Sequence, residues 1–229
     1  RIGGSKYPDV SNLCIVGGCA LNVVANAKAL ESSGINNVCV PPAPHDAGCA
    51  IGAGIIGYQR FGGDGRPPSI KGPYLGQELS NDDIFNFIVE NGYSYPSKFV
   101  EAELLKTTAE KIAMGCVVAW FQGKTEFGPR ALGNRSILAD PRNADIQGLM
   151  NRKIKKRELF RPFAPSVKEE QAGEYFHLTQ PSPYMNIVAN VKQNMWDVIP
   201  AVTHVDKTAR VHTVSRDSNP RYWGLINEF

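Results

Sequence analysis

Leu13-Cys14-Ile15-Val16-Gly17-Gly18-Cys19-Ala20-Leu21-Asn22 opens on four apolar residues, breaks at a glycine pair and resumes with small and apolar residues. A short apolar run closed by two glycines reads as a buried strand and its turn. Beyond the turn, Val23, Ala27 and Leu30, with Ala20 and Val24 beside them, keep helical spacing until Gly34, which is placed to cap the helix. Val38-Cys39-Val40 then reads as a second buried strand. Strand, helix and strand in this order predict an α/β fold. After the loop Pro41-Pro42-Ala43-Pro44, Asp46 opens a small-residue helix in which Gly48, Gly52 and Gly54 would let a neighbouring backbone come close.

The chain of 229 residues is 42% hydrophobic and 21% charged, enough to bury a core in one large domain or two smaller ones. No run approaches the roughly 18 apolar residues of a membrane span. Arg1-Ile2-Gly3-Gly4 reads as neither a signal sequence nor a natural initiator, so the chain is expected to begin within a longer protein. Cys14, Cys19, Cys39, Cys49 and Cys116 lie apart, without zinc-ligand spacing or a dense disulfide pattern, which suits a reducing, cytoplasmic setting.

Gly62, Gly63, Gly65, Pro67, Pro68, Gly72 and Pro73 mark a linker, placed at 64–77, between a first unit (1–63) and a second (78–229). Ser80 and Asp83 have capping-box spacing at the start of a helix that ends at Gly92. A further helix is expected over 99–114 and a strand over Cys116–Phe121. Strands near 136–139, 163–167, 185–191 and 210–214 suggest a mixed sheet with intervening helices.

The net charge of +3 hides an uneven distribution. From Lys124 to Arg161 there are ten Lys or Arg against four Asp or Glu, a local surplus of six, while the rest of the chain sums to −3. A local positive field in a near-neutral chain points to an anionic small ligand or a nucleic-acid patch.

Four constellations carry chemistry. Gly17-Gly18, between strand and helix, is either a tight turn or a place where backbone amides meet phosphate, and Asn22 adds an amide on an otherwise apolar helix. Asp46, after His45, is either a helix N-cap or a metal-holding carboxylate. Gln122 to Arg142 combines Arg130 and Arg135 with glycines and a proline that fix the loop, so that several guanidinium forks could converge on an anion; the other reading is a solvated loop whose arginines pair with Glu126 and Asp140. In Asn151 to Pro165, Lys153 and Arg157 stand four apart, as one helix face would present them, with Arg161 following. Five of the six residues from Arg152 to Arg157 are basic, which leaves nucleic-acid binding as the rival reading. His204 and Arg210 put polar groups on strands expected to pair, and His204 alone would be a turn or core histidine.

Taken together and in this order, these segments resemble the nodulation-protein and tobramycin-type O-carbamoyltransferases. Gly17-Gly18-Cys19-Ala20-Leu21-Asn22 and Phe127-Gly128-Pro129-Arg130-Ala131-Leu132-Gly133-Asn134-Arg135-Ser136-Ile137-Leu138 carry the likeness, joined by Lys155 to Pro165 and by Ile199 to Asp206. The resemblance implies the tail of an actin-like ATPase-superfamily domain, related to the threonylcarbamoyl transferases of tRNA modification, followed by a YrdC-like domain. It implies that carbamoyl phosphate and ATP are joined into carbamoyl-adenylate with release of pyrophosphate and phosphate. The carbamoyl group then passes to a small-molecule hydroxyl at a divalent metal, usually iron, with Mg2+ compatible with the nucleotide.

Carried over by residue, Asp46 matches the metal-binding aspartate, Gly17, Gly18 and Asn22 the nucleotide turn, and Lys153, Arg157 and Arg210 the catalytic phosphate-holding cations. Arg130, Arg135, Arg161 and His204 join them as substrate-binding candidates by spacing and company. The family's His-x-x-x-His pair does not occur at the four histidines, and its Asn-Thr-Ser-Phe-Asn segment does not occur before Phe229. An oligomer is left open, a membrane partner is not expected, and the alternative function is an RNA-binding or tRNA-modifying module.

Overall fold

The computed structural model describes residues 11–32, 34–63, 65, 72–94 and 100–229. It is a mixed α/β structure of small sheets and helices. In the first unit, β1 (Asn12–Cys14) pairs in parallel with β2 (Asn37–Cys39), and α1 (Val23–Ser32) crosses between them. Ala20, Val38 and Val40 form the buried centre, with Leu13, Ile15, Leu30 and Ile35 packed around it. The strands expected to be buried throughout alternate instead, because only one face of the pair is covered: Val38 is buried, while Cys14, Val16 and Cys39 are exposed. All five cysteines are free and exposed.

A short 3-10 turn, Asp46–Gly48, precedes α2 (Cys49–Arg60). Of the three glycines expected to admit a close backbone, Gly48 does so, since a Cβ there would run into the Ala43 carbonyl oxygen; Gly52 and Gly54 face open space. Half of the linker falls outside the described residues, but its end is built into the second unit: Tyr74 bridges to Glu126, and the Gly76 amide donates to Thr125 O at 3.0 Å.

The capping box at Ser80 and Asp83 starts α3 (Asn81–Glu90) as expected: Asp83 N donates to Ser80 Oγ at 3.1 Å and Ser80 N to Asp83 Oδ2 at 3.0 Å. Then come α4 (Glu101–Ala113), β3 (Val118–Phe121), β4 (Arg135–Leu138) and α5 (Ile146–Leu149). The remainder is β5 (Ser166–Lys168), α6 (Ala172–Tyr175), β6 (Phe176–His177), β7 (Val188–Val191), β8 (Thr208–Arg210), β9 (His212–Val214) and α7 (Pro220–Glu228).

One mixed sheet was expected here; the described residues form three small ones instead. β3 pairs antiparallel with β4, β6-β7-β8 is an antiparallel triple, and β5 pairs in parallel with β9. The expected strand 210–214 is divided at Val211: residues before it pair with β7, and those after it with β5. Val211 is fully buried and lies in one core with Val167, Phe176, Val191, Val202 and Ala209, so the change of partner is fixed by packing. A second core joins Trp120, Val214, Tyr222 and Leu225.

The two units are tied by amides. Gln180 mimics a neighbouring strand, its Oε1 accepting from Val38 N at 2.8 Å and its Nε2 donating to Val38 O at 2.8 Å. Buried Asn26 donates to Ala20 O and to Asn186 O, at 2.8 and 2.9 Å, and Asn186 donates to Val40 O and Pro41 O.

Behind the second core, Tyr222 OH donates to Ser166 Oγ at 2.9 Å, and Ser166 Oγ bonds His212 Nδ1 at 2.9 Å. Burial pushes the His212 pKa down to about 3 from 6.5. Between those values the unfolded chain binds a proton that the folded chain refuses. This contribution is therefore complete above the unfolded pKa and is lost as pH falls toward 3. Lowering pH from 7 to 5 should cost about 2 kcal/mol through His212, so thermal melting of a His212→Gln variant should show a shallower pH dependence than the unaltered chain. Parallel pH profiles for the two proteins would contradict this.

Candidate anion site

Strand β3 delivers the chain into the loop 122–134, and a carboxylate organises that loop. Glu126 Oε1 accepts from the amides of Leu132, Asn134 and Arg135, at 2.8, 2.8 and 3.1 Å. One oxygen thus collects three backbone donors that would otherwise lack partners. Gly133 has φ +101°, and a Cβ there would enter the Tyr222 ring; Gly128, at φ +136°, sits against Pro42 O. Glycine is required at both by conformation and by space. Beneath the loop, Gln122 Nε2 donates to Asn134 Oδ1 and Asn219 Oδ1, at 2.8 and 2.7 Å, and Asn219 Nδ2 donates to Tyr74 OH at 2.9 Å. Of the two candidate ion-pair partners for the loop's arginines, Glu126 binds amides instead, while Asp140 does pair with one of them, Arg142, at 2.7 Å.

Arg130, from this loop, and Arg157, from the basic segment, both lie near enough to Arg210, at the end of β8, to act on its charge. Burial, followed by the charges of Arg130 and Arg157, lowers the Arg210 pKa to about 10, and burial lowers that of Arg130. The Nε atoms of Arg130 and Arg210 are buried without a hydrogen-bond partner. Among the described residues, no carboxylate forms an ion pair with any of the three. Three converging guanidinium groups, two with orphaned donors, form an arrangement whose repulsion an anion would relieve.

His204 stands beside Arg210, and its pKa is lowered by burial and by that arginine against the opposing effect of Asp206. Thr208 spends its hydroxyl proton on Asp206 Oδ1 at 2.7 Å, so at the 3.1 Å contact with Thr208 Oγ1 the His204 Nδ1 must be the donor. In neutral His204 the lone pair is then on Nε2.

The structure does not bring every candidate to this cluster. Arg135 is a tie within the loop, donating to Gln122 O, Asn134 O and Gly123 O and lying 3.5 Å from the Phe121 ring centroid. Arg161 pairs with Glu158 at 2.8 Å on the surface. Lys153 is exposed and does not share a helix face with Arg157. Residues Met150–Lys155 form a π-helix and Lys156 is left-handed, at φ 47°, so the chain turns away before Arg157. Arg157 Nε instead donates to Asn151 Oδ1 at 2.8 Å, a contact that spacing did not foresee.

Asn22 is exposed rather than buried, and its Oδ1 accepts from Ala25 N at 3.0 Å as a cap for α1; the buried amide of that helix is Asn26. Gly17 and Gly18 are exposed, and Gly17 N donates to Pro44 O at 2.6 Å. The proline loop therefore touches both this glycine turn and, through Pro42, the arginine loop.

Asp46 is exposed, and the cap of its turn is His45, whose Nδ1 accepts from Ala47 N at 3.1 Å. Among the described residues, no three His, Cys, Asp or Glu side chains come together as metal ligands, so they do not by themselves compose a metal site. A cavity of about 160 Å³ lined by residues including Ile137, Met150, Phe163, Tyr222 and Phe229 is mostly apolar and contains none of the three arginines. It is not where an anion would be held.

Removing the Glu126 carboxylate should leave three amides without an acceptor. Glu126→Ala is expected to lower stability by about 3 kcal/mol, and Glu126→Gln, which keeps one carbonyl oxygen, by about 1 kcal/mol. Denaturant melts measure both; an alanine variant as stable as the original would refute the role given to this carboxylate.

Residues 109–229 match the family model described as Carbamoyltransferase C-terminus, and residues 5–55 match Carbamoyltransferase N-terminus. The chain is 42% identical to the nodulation protein NolO of Bradyrhizobium diazoefficiens, over 98% of this chain and 41% of that protein. It is 36% identical to the 3'-hydroxymethylcephem-O-carbamoyltransferase of Amycolatopsis lactamdurans, over 100% of this chain and 42% of that protein. It is also 38% identical to nodulation protein U of Bradyrhizobium diazoefficiens, over 98% of this chain and 37% of that protein. The chain thus spans about two fifths of the length of these relatives. With two family segments matched in order, and relatives covered over nearly the whole chain, the protein belongs to the carbamoyltransferase family.

Proposed function

We propose that this chain is part of an ATP-dependent O-carbamoyltransferase and that Arg130, Arg157 and Arg210 hold the phosphate groups of its substrates. One observation carries the reading: three partly buried guanidinium groups converge with no acidic partner, and two have orphaned Nε donors. Carbamoyl phosphate and ATP are both anions. Bringing them together to form carbamoyl-adenylate, with pyrophosphate and phosphate released and one water consumed, requires fixed positive charge to offset their repulsion. His204 Nε2, as an acceptor beside Arg210, suits an N–H group such as that of a carbamoyl amide.

In this reading residues 1–63 are the tail of an actin-like domain and 78–229 belong to a YrdC-like domain, joined at 64–77. The product's carbamoyl group passes to a small-molecule hydroxyl, as the name of the Amycolatopsis relative says of that enzyme. Gly17, Gly18 and the proline loop would bring the first unit to the nucleotide. Because the described residues do not compose a metal site, no step is assigned to a metal.

The rival reading rests on Arg152, Lys153, Lys155 and Lys156, which are exposed and could meet a nucleic-acid backbone. The test uses the enzyme at the length of its relatives. Arg210→Ala and Arg157→Ala should each reduce pyrophosphate release from ATP and carbamoyl phosphate by about a hundredfold or more. Arg157→Lys should rescue poorly, since a point charge does not reproduce a planar fork. Unchanged pyrophosphate release, together with RNA binding that weakens steeply with salt, would overturn the assignment in favour of the rival.

A further inference from the structure

We infer that Asn151 is a positioning residue that holds the Arg157 guanidinium in the cluster without neutralising it; this rests on the anion reading above. Asn151 is completely buried, within the π-helix Met150–Lys155. Its Oδ1 accepts from Arg157 Nε at 2.8 Å, and its carbonyl oxygen accepts from Arg157 N at 3.0 Å. Its Nδ2 donates to Leu159 O and Arg161 O, at 3.1 and 2.8 Å. A single residue therefore grips Arg157 at backbone and side chain, and fixes the segment that follows.

The chemistry of the grip matters as much as its geometry. A buried carboxylate at this place would also accept from Nε, but it would form an ion pair and cancel the charge that an anion needs. A carboxamide directs the guanidinium and leaves its charge intact. Phe163 lies 4.9 Å from the guanidinium carbon and steadies one face. Among the described residues, no hydrogen bond uses either terminal nitrogen of Arg157, so the two-pronged edge stays available for phosphate oxygens. The wide turn and left-handed Lys156, at φ 47°, are the local strain of a chain that closes Arg157 back onto Asn151. Positioning also answers a need peculiar to this cluster, because Arg210 and Arg157 repel each other, and an untethered side chain would swing to solvent.

A double-mutant cycle tests this role. Inorganic pyrophosphate is titrated calorimetrically into the enzyme at the length of its relatives and into its Asn151→Ala, Arg157→Ala and doubly substituted forms, with melting temperatures measured alongside. Asn151→Ala and Arg157→Ala should each weaken binding by about tenfold, and the double variant should bind no more weakly than Arg157→Ala alone. Losses that multiply in the double variant, or an Asn151→Ala chain that binds normally while Arg157→Ala does not, would remove the positioning role and leave the anion reading intact. No saturable binding by the unaltered chain, or normal binding by Arg157→Ala, would remove the anion reading itself. Asn151→Ser, which keeps a short acceptor in the same space, repeats the cycle should the alanine variant fail to fold.

Discussion

The Glu126 carboxylate, gathering the amides of Leu132, Asn134 and Arg135, is the constraint on which the rest of the site depends. It folds a glycine-rich loop into one shape and so fixes where Arg130 leaves the backbone. The buried amides of Gln122, Asn134 and Asn219 brace this loop against Tyr74 and α7, while Pro42 seats Gly128 on the first unit. Because the acidic group binds backbone rather than arginine, the loop is held without giving up its positive charge.

That separation runs through the whole site. Arg135 and Arg161, which do have partners, serve the local fold, whereas Arg130, Arg157 and Arg210 lack acidic ones. Crowding three like charges costs folding free energy, and a fold retains such a cost where function uses it. The supports used here are mainly neutral: the Asn151 amide for Arg157, and strand pairing for the backbone of Arg210. The phosphate-bearing anions proposed as ligands would meet that unbalanced charge.

Much of this was legible in the sequence, for definite reasons. The capping box at Ser80 and Asp83, the turn at Gly17 and the helix after it are local patterns, governed by residues within one turn of one another. The resemblance pointed to Lys153, Arg157 and Arg210, and spacing added Arg130, Arg135 and Arg161, so neither signal alone separates Arg130, Arg157 and Arg210 from the rest. Helical periodicity failed at Lys153 and Arg157 because the segment is a π turn ended by a left-handed residue, which a four-residue interval does not reveal. The divided strand at Val211 was hidden because its two halves follow partners distant in sequence. Asn26 and Asn151 carry no charge and sit in no glycine motif; an Asn within an apolar helical stretch was the available signal for Asn26, whereas Asn151 heads a basic run that masks it.

The central claim, that three guanidinium groups await an anion, is tested most directly by NMR of the arginine Nε–H groups during titration with carbamoyl phosphate. Saturable shifts at Arg130, Arg157 and Arg210, with Arg135 and Arg161 unmoved, are the result predicted. Shifts confined to Arg135, Arg161 or the exposed 152–156 run, or no saturable shift at all, would contradict it.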